Sequence, residues 1–148
     1  MNENCILRED RDGVCYLTLN RPGKLNALDS ELFGEMNNQL EEIERRDDLK
    51  VVVLRGAGRC FCAGHDVAVL GMPGQDETFN SRVITRLASL PQAVVMLIHS
   101  HCYTGGLELA LAGDIIIASE MQRLGIPTAN LPSVQSGDSP SGCRGASA

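Results

Sequence analysis

Three apolar runs, each ending in small or turn-forming residues, constrain this chain more than any other feature. They are "KVVVLRGAG" (50–58), "AVVMLIHS" (93–100) and "DIIIAS" (114–119). Continuous apolar runs of strand length read as strands buried on both faces, which is the pattern of a parallel sheet. Segments of helical period lie between them. "TFNSRVITRLASL" (78–90) puts Phe79, Val83, Ile84, Leu87 and Leu90 on one stripe, and "GGLELALA" (105–112) reads as a short apolar helix. Parallel strands need long crossover connections, and helices supply them. The expected fold class is therefore α/β.

The N-terminal third fits the same scheme. "VCYLTLN" (14–20) alternates Cys15, Leu17 and Leu19 with polar positions, and "NCILRED" before it is expected to pair with it as a hairpin across "RDG". Asp29 or Ser30 can cap a helix whose buried face carries Leu32, Phe33, Met36, Leu40 and Ile43, ending at "RRDD". At 148 residues the chain is one domain's worth of material. Its character changes near residue 120. Residues 1–120 read as the folded core, and 121–148, rich in serine and proline without periodicity, read as an irregular tail.

Charge narrows the partners. Thirteen Lys and Arg against nineteen Asp and Glu give a net charge of −6, which opposes binding to nucleic acid. No basic cluster favours an anionic membrane, and no run reaches bilayer length. The opening "MNENCILRED" lacks the organisation of a secretory signal, so a cytoplasmic protein with six reduced cysteines is expected.

Two glycine-bearing loops follow buried strands, "RCFCAGHD" (59–66) and "HCYTGG" (101–106). Loops at the carboxyl ends of parallel strands are where α/β proteins place ligands. The second loop opens directly into a helix, whose first N–H groups are unpaired and partly positive. If the first loop aims another N–H at the same point, the two form an oxyanion hole. Glu108, one turn into that helix, can then hang beside the held oxygen. Leu107, Leu109, Ala110 and Leu111 are expected to desolvate it and raise its pKa, as a general acid/base requires. The plainer alternative is an exposed Glu108 that only complements the helix dipole.

The segments "GRCFCAGHDV" and "IHSHCYTGGLELALAGDIIIASE" resemble the paired signatures of the enoyl-CoA hydratase/isomerase (crotonase) family, and "LTLNRPGKLNALD" resembles its N-terminal loop. The resemblance runs from residue 5 to about 120. It implies a spiral of ββα units, here C-terminally truncated, and an acyl-CoA substrate whose enolate oxygen is held by two main-chain N–H groups. In this chain those donors would belong to His65 and Gly105, with Glu108 as the first of the two glutamates that hydratases use. Ala63, Gly64, Asp66, Val67 and Gly106 would line the CoA and acyl sites, and Lys24, Leu25, Asn26 and Ala27 would lie along the CoA. No metal and no cofactor beyond the substrate's coenzyme A is implied. Family members form homo-oligomers through C-terminal helices that the resemblance does not reach here.

The second glutamate would fall near Thr128, within the tail. Codons compatible with the tail can be re-read two bases along to give a family-like continuation, so a frameshift near residues 119–123 is one expectation for its origin. Three other readings compete. A dinucleotide site at Gly56 and Gly58 fails the fingerprint at Phe61. A metal site from Cys60, Cys62, His65, His99, His101 and Cys102 lacks a common zinc spacing, and cysteines filling small core gaps fit better. A remnant that retains at most CoA-thioester binding is the most serious rival.

Overall fold

The computed structural model describes residues 3–120 and 123–125. Strands β1 (Ile6–Arg11) and β2 (Val14–Leu19) form the expected hairpin, antiparallel, with Ile6 opposite Leu19. Helix α1 (Ser30–Ile43) follows, then β3 (Val51–Gly56), α2 (Glu77–Ala88), β4 (Ala93–Ile98), the short β5 (His101–Tyr103), α3 (Gly105–Leu111) and β6 (Ile115–Ala118). One sheet runs β1-β2-β3-β4-β6, parallel from β2 onward. A second, small sheet pairs β5 in parallel with β7 (Arg123–Gly125).

Two units repeat a ββα path, β1–β2–α1 and β4–β5–α3. The segment after β3 imitates a third, because Cys62 makes an isolated parallel bridge to Cys102 on β5. The spiral of ββα units is thus visible within one chain. Strand β7 lies in the stretch expected to be irregular, and its three residues are ordered by pairing with β5. Thr128, the rest of the tail and the frameshift expectation lie outside the described residues.

The core forms where helix stripes meet the sheet. Helix α1 starts where Asp29 accepts a hydrogen bond from Leu32 N at 3.0 Å, the capping expected of Asp at that position. It buries Leu32, Phe33, Met36, Leu40 and Ile43 against Leu17, Leu19, Val52 and Leu54 of the sheet. Each such side chain contributes about 1.5–3 kcal/mol of hydrophobic stabilisation. Asp76 caps α2 in the same manner, accepting from Phe79 N at 2.9 Å. Arg86 then fastens α2 to α1 through Asn37 Oδ1 (2.6 Å) and Glu41 Oε1 (2.7 Å).

One expectation fails. "DIIIAS" reads as a strand buried on both faces, yet every residue of β6 is exposed, Ile115, Ile116 and Ile117 by 53%, 44% and 56%. The cause is position: β6 is the edge of the five-stranded sheet, and no described element packs across it. Two apolar strand residues that look alike in sequence should therefore behave differently. Leu54→Ala is expected to cost about 2–5 kcal/mol, as for other large-to-small changes in a full core. Ile117→Ser should stay within about 0.5 kcal/mol of the parent in urea unfolding, as surface changes do. Equal losses in the two variants would contradict this placement.

Candidate active site

The site begins with a buried asparagine. Asn26 is fully enclosed, and its Nδ2 donates to the carbonyls of Ala57 (2.9 Å), Cys60 (3.0 Å) and Phe61 (3.1 Å) while Oδ1 accepts from Arg21 N (2.8 Å). Both Leu25 and Asn26 have positive φ, 52° and 54°, so these bonds hold a strained turn in place. Arg21 adds an ion pair to Asp29 at 2.6 Å and a bond to Ala27 O at 3.0 Å. Asn26 was expected to lie along the ligand. It lies behind the site instead, locking the 21–29 loop to the 57–61 loop.

The two glycine loops meet next. Phe61 N donates to His99 O, Cys62 N to His101 O and Tyr103 N to Cys62 O, at 3.0–3.3 Å. Gly64, with φ +97°, comes so close that a β-carbon there would stand 2.7 Å from Thr104 Oγ1 and 2.8 Å from Tyr103 O. At Gly106 a β-carbon would be 2.8 Å from Cys62 O. Both positions accept glycine alone without rearrangement. Thr104 itself has φ 44°, an uncommon conformation for a branched residue, and its carbonyl accepts from Leu107 N and Glu108 N to open α3.

This contact sets residue 65 beside residue 105. The His65 imidazole covers Gly105 so closely that a β-carbon on Gly105 would fall 2.6 Å from Cδ2 and 2.7 Å from Nε2. The ring also lies 6.4 Å from that of Phe33. Leu28 bridges across His65, accepting from Asp66 N and donating to Gly64 O, both at 2.8 Å. The N–H groups of His65 and Gly105 themselves find no acceptor among the described residues.

His65 stands between two cavities. One, about 370 Å³, is lined by Lys24, Ala27, Ala63, Asp66 and Val67, so five residues expected near the CoA do line one space. Lys24 Nζ and Asp66 Oδ2 are 3.8 Å apart across it. Leu25 and Ala63 also border a hollow with Arg59 and His101, while Gly64 and Gly106 are buried behind the walls. The other cavity, about 310 Å³, lies between α3, α2 and the preceding loop, and Glu108 lines it with Gln75, Asn80 and Ile84. Gln75 and Asn80 belong to no motif in the sequence. The signal was available: Asn80, Val83, Ile84 and Leu87 keep an i, i+3, i+4, i+7 spacing, which turns Asn80 inward.

Glu108 requires a correction. It was expected to be desolvated by its apolar neighbours, but it is exposed, because Leu109 and Ala110 turn into the core while Leu111 turns away and is 68% exposed. Side chains adjacent on a helix do not face each other. The cysteines have clear positions. Cys60 Sγ bonds to Leu25 O and Cys62 Sγ to Asn26 O, and Cys60, Cys62 and Cys102 fill buried space beneath the loops.

Unpaired main-chain N–H groups beside a carboxylate, on a close-packed α/β scaffold, can hold an oxygen that gains negative charge. The profile of the family described as "Enoyl-CoA hydratase/isomerase" matches residues 9–138. The chain belongs to the enoyl-CoA hydratase/isomerase family. It is 37% identical to a 1,2-epoxyphenylacetyl-CoA isomerase of Escherichia coli, over 77% of this chain and 47% of the relative. It is 34% identical to a short-chain-enoyl-CoA hydratase of Clostridium acetobutylicum, over 88% and 52%. A crystal structure of an enoyl-CoA hydratase/carnithine racemase from Magnetospirillum magneticum superposes with a TM-score of 0.81 at 26% identity, covering 92% of this chain and 54% of that one. The chain spans about half the length of the curated relatives it matches.

Two outcomes follow from the packing. Gly64→Ala should destabilise the fold by about 2 kcal/mol or more, since both a positive φ and a backbone oxygen oppose it. Gly23→Ala, with open space around it, serves as the control in the same urea titration. Separately, burial pushes the Cys62 thiol up from 9.0 to about 12 and Cys102 to about 11. An unfolded thiol loses its proton near pH 9 while the folded one keeps it, so stability should fall as pH rises from 9 toward 12. Urea midpoints at pH 8 and 10.5 would check this, with the decline reduced in Cys62→Ala; an unchanged decline would contradict it.

Proposed function

We propose that this chain binds a CoA thioester and catalyses reactions of the hydratase/isomerase type through an enolate, most simply the hydration of a 2-enoyl-CoA in fatty-acid metabolism. The observation that carries the reading is the Gly64–Thr104 approach, which sets His65 beside Gly105 with Glu108 one turn further along the same helix. The N–H groups of His65 and Gly105 would donate to the thioester oxygen. Lys24, Ala27, Ala63, Asp66 and Val67 would receive the CoA portion, and Glu108 would face the acyl group.

In hydration, the Glu108 carboxylate takes a proton from water as the water oxygen bonds to C3. The displaced π electrons move to the thioester oxygen, where the two N–H groups stabilise the charge. Glu108 then returns the proton to C2, and the sum is one water added. Donors fixed in place toward a developing charge act without reorganising, and removing one such donor typically costs a factor of about 10²–10³. Coenzyme A arrives with the substrate, and the reading needs no other cofactor and no metal. It fits a soluble cytoplasmic protein acting on small molecules.

A second reading, binding without turnover, is favoured by one observation: Glu108 is exposed where a general acid/base gains from burial. An isomerase reading has its support in the 37% identity to the isomerase of Escherichia coli. Crotonyl-CoA separates these readings. Hydration, followed through loss of the conjugated thioester absorbance, should proceed and should drop by about 10²-fold or more in Glu108→Gln. A thermal shift on crotonyl-CoA binding without turnover would favour the binding reading, and no shift with any CoA thioester would contradict both.

A further inference from the structure

Among the described residues, His65 alone borders both cavities of the candidate site, the one with Lys24 and Asp66 and the one with Glu108. Its half-buried imidazole is seated against the start of α3. A β-carbon on Gly105 would fall 2.6 Å from Cδ2 and 2.7 Å from Nε2, so the ring touches the main chain of Gly105. The ring of the fully buried Phe33 lies 6.4 Å away, tilted by 30°. The backbone on either side of residue 65 is held as well, with Leu28 donating to Gly64 O and accepting from Asp66 N, both at 2.8 Å. A flat, stiff group is thus fixed at the waist between the two spaces. Packed side chains of this kind yield only at a cost when extra atoms are forced against them.

We infer that the His65 side chain is a specificity-determining wall, which admits acyl groups unbranched at C2 and rejects those that carry a substituent there. The inference rests on the proposed thioester site. With the carbonyl oxygen on the N–H groups of residues 65 and 105, the sulfur is directed toward Lys24 and C2 toward Glu108. Both atoms then lie beside the ring that separates the two cavities. A straight chain needs only a narrow slot as it leaves the carbonyl carbon, whereas a methyl branch at C2 needs the space that the imidazole fills. The role belongs to the side chain alone, because any residue at position 65 retains the main-chain donor. The ring takes no part in the proton transfers.

The test is calorimetric titration of the full chain with coenzyme A, butyryl-CoA and isobutyryl-CoA. The two thioesters have the same composition and differ only in branching at C2. The parent protein should bind butyryl-CoA about tenfold more tightly, the scale on which a close-fitting site discriminates one methyl group. His65→Ala opens the waist and should bring the two affinities together by strengthening isobutyryl-CoA, not by weakening butyryl-CoA. His65→Phe keeps a ring of similar size and should keep the preference, which a general loosening of the loop would not. The comparison in the parent protein needs no variant to fold. Equal or tighter binding of isobutyryl-CoA there overturns this inference while the thioester reading stands. A preference that persists in His65→Ala, or one that vanishes in His65→Phe, overturns the role of the ring. Failure of both thioesters to bind overturns the thioester reading and this inference with it.

Discussion

The close approach of Gly64 to Thr104 and the Tyr103 carbonyl is the contact on which the rest of the site depends. At this point the two loops come so close that a β-carbon on residue 64 would collide with Thr104 Oγ1 and Tyr103 O. Everything chemical is arranged around that touch. It brings His65 over Gly105, starts α3 at a strained Thr104, and directs Glu108 into the cavity shared with α2. Strain of this kind persists only where the surroundings hold it.

Those surroundings are polar as well as apolar. Asn26 gathers three carbonyls and one N–H from loops that otherwise have no reason to coincide, and the Arg21–Asp29 pair ties the same segment to the start of α1. Such a fully satisfied buried network specifies one loop arrangement in a way that apolar packing alone does not. Beneath it, Cys60, Cys62 and Cys102 supply small buried apolar bodies, and the weak S–H donors of Cys60 and Cys62 reach the carbonyls of Leu25 and Asn26.

Much of this was legible in the amino-acid order. The runs at 50–58, 93–100 and 114–119 are strands, the stripe from Leu32 to Ile43 is a buried helix face, and Asp29 is its cap. The paired glycine loops could be expected to meet because each follows a strand of a parallel sheet, and they do. What escaped the sequence depends on long-range placement. The isoleucines of β6 match a buried strand in every local respect, and only the strand order shows that they lie at an edge. Glu108 looked desolvated because its sequence neighbours are apolar, yet a helix turns neighbours to different sides. Asn26 looked like a ligand contact because it sits in the right loop; its hydrogen bonds place it behind the wall. Asn80 was hidden among apolar residues of its own stripe, where a polar side chain is easily assigned to the wet face.

The edge strand, Glu108 and Leu111 are all exposed among the described residues. The chain spans about half the length of the relatives it matches, and cover over these exposed groups would make the cavity beside Glu108 drier. The main-chain part of the site needs no such cover, because its donors are positioned from within the described core.

The most direct measurement is therefore an amide-resolved NMR titration of the chain with a non-reacting CoA thioester. Hydrogen bonding to the thioester oxygen should move the amide protons of His65 and Gly105 downfield together, saturating at the same ligand concentration, while free coenzyme A moves neither. If residues elsewhere respond to the thioester and these two amides stay in place, the loops do not converge on a common oxygen and the account is wrong.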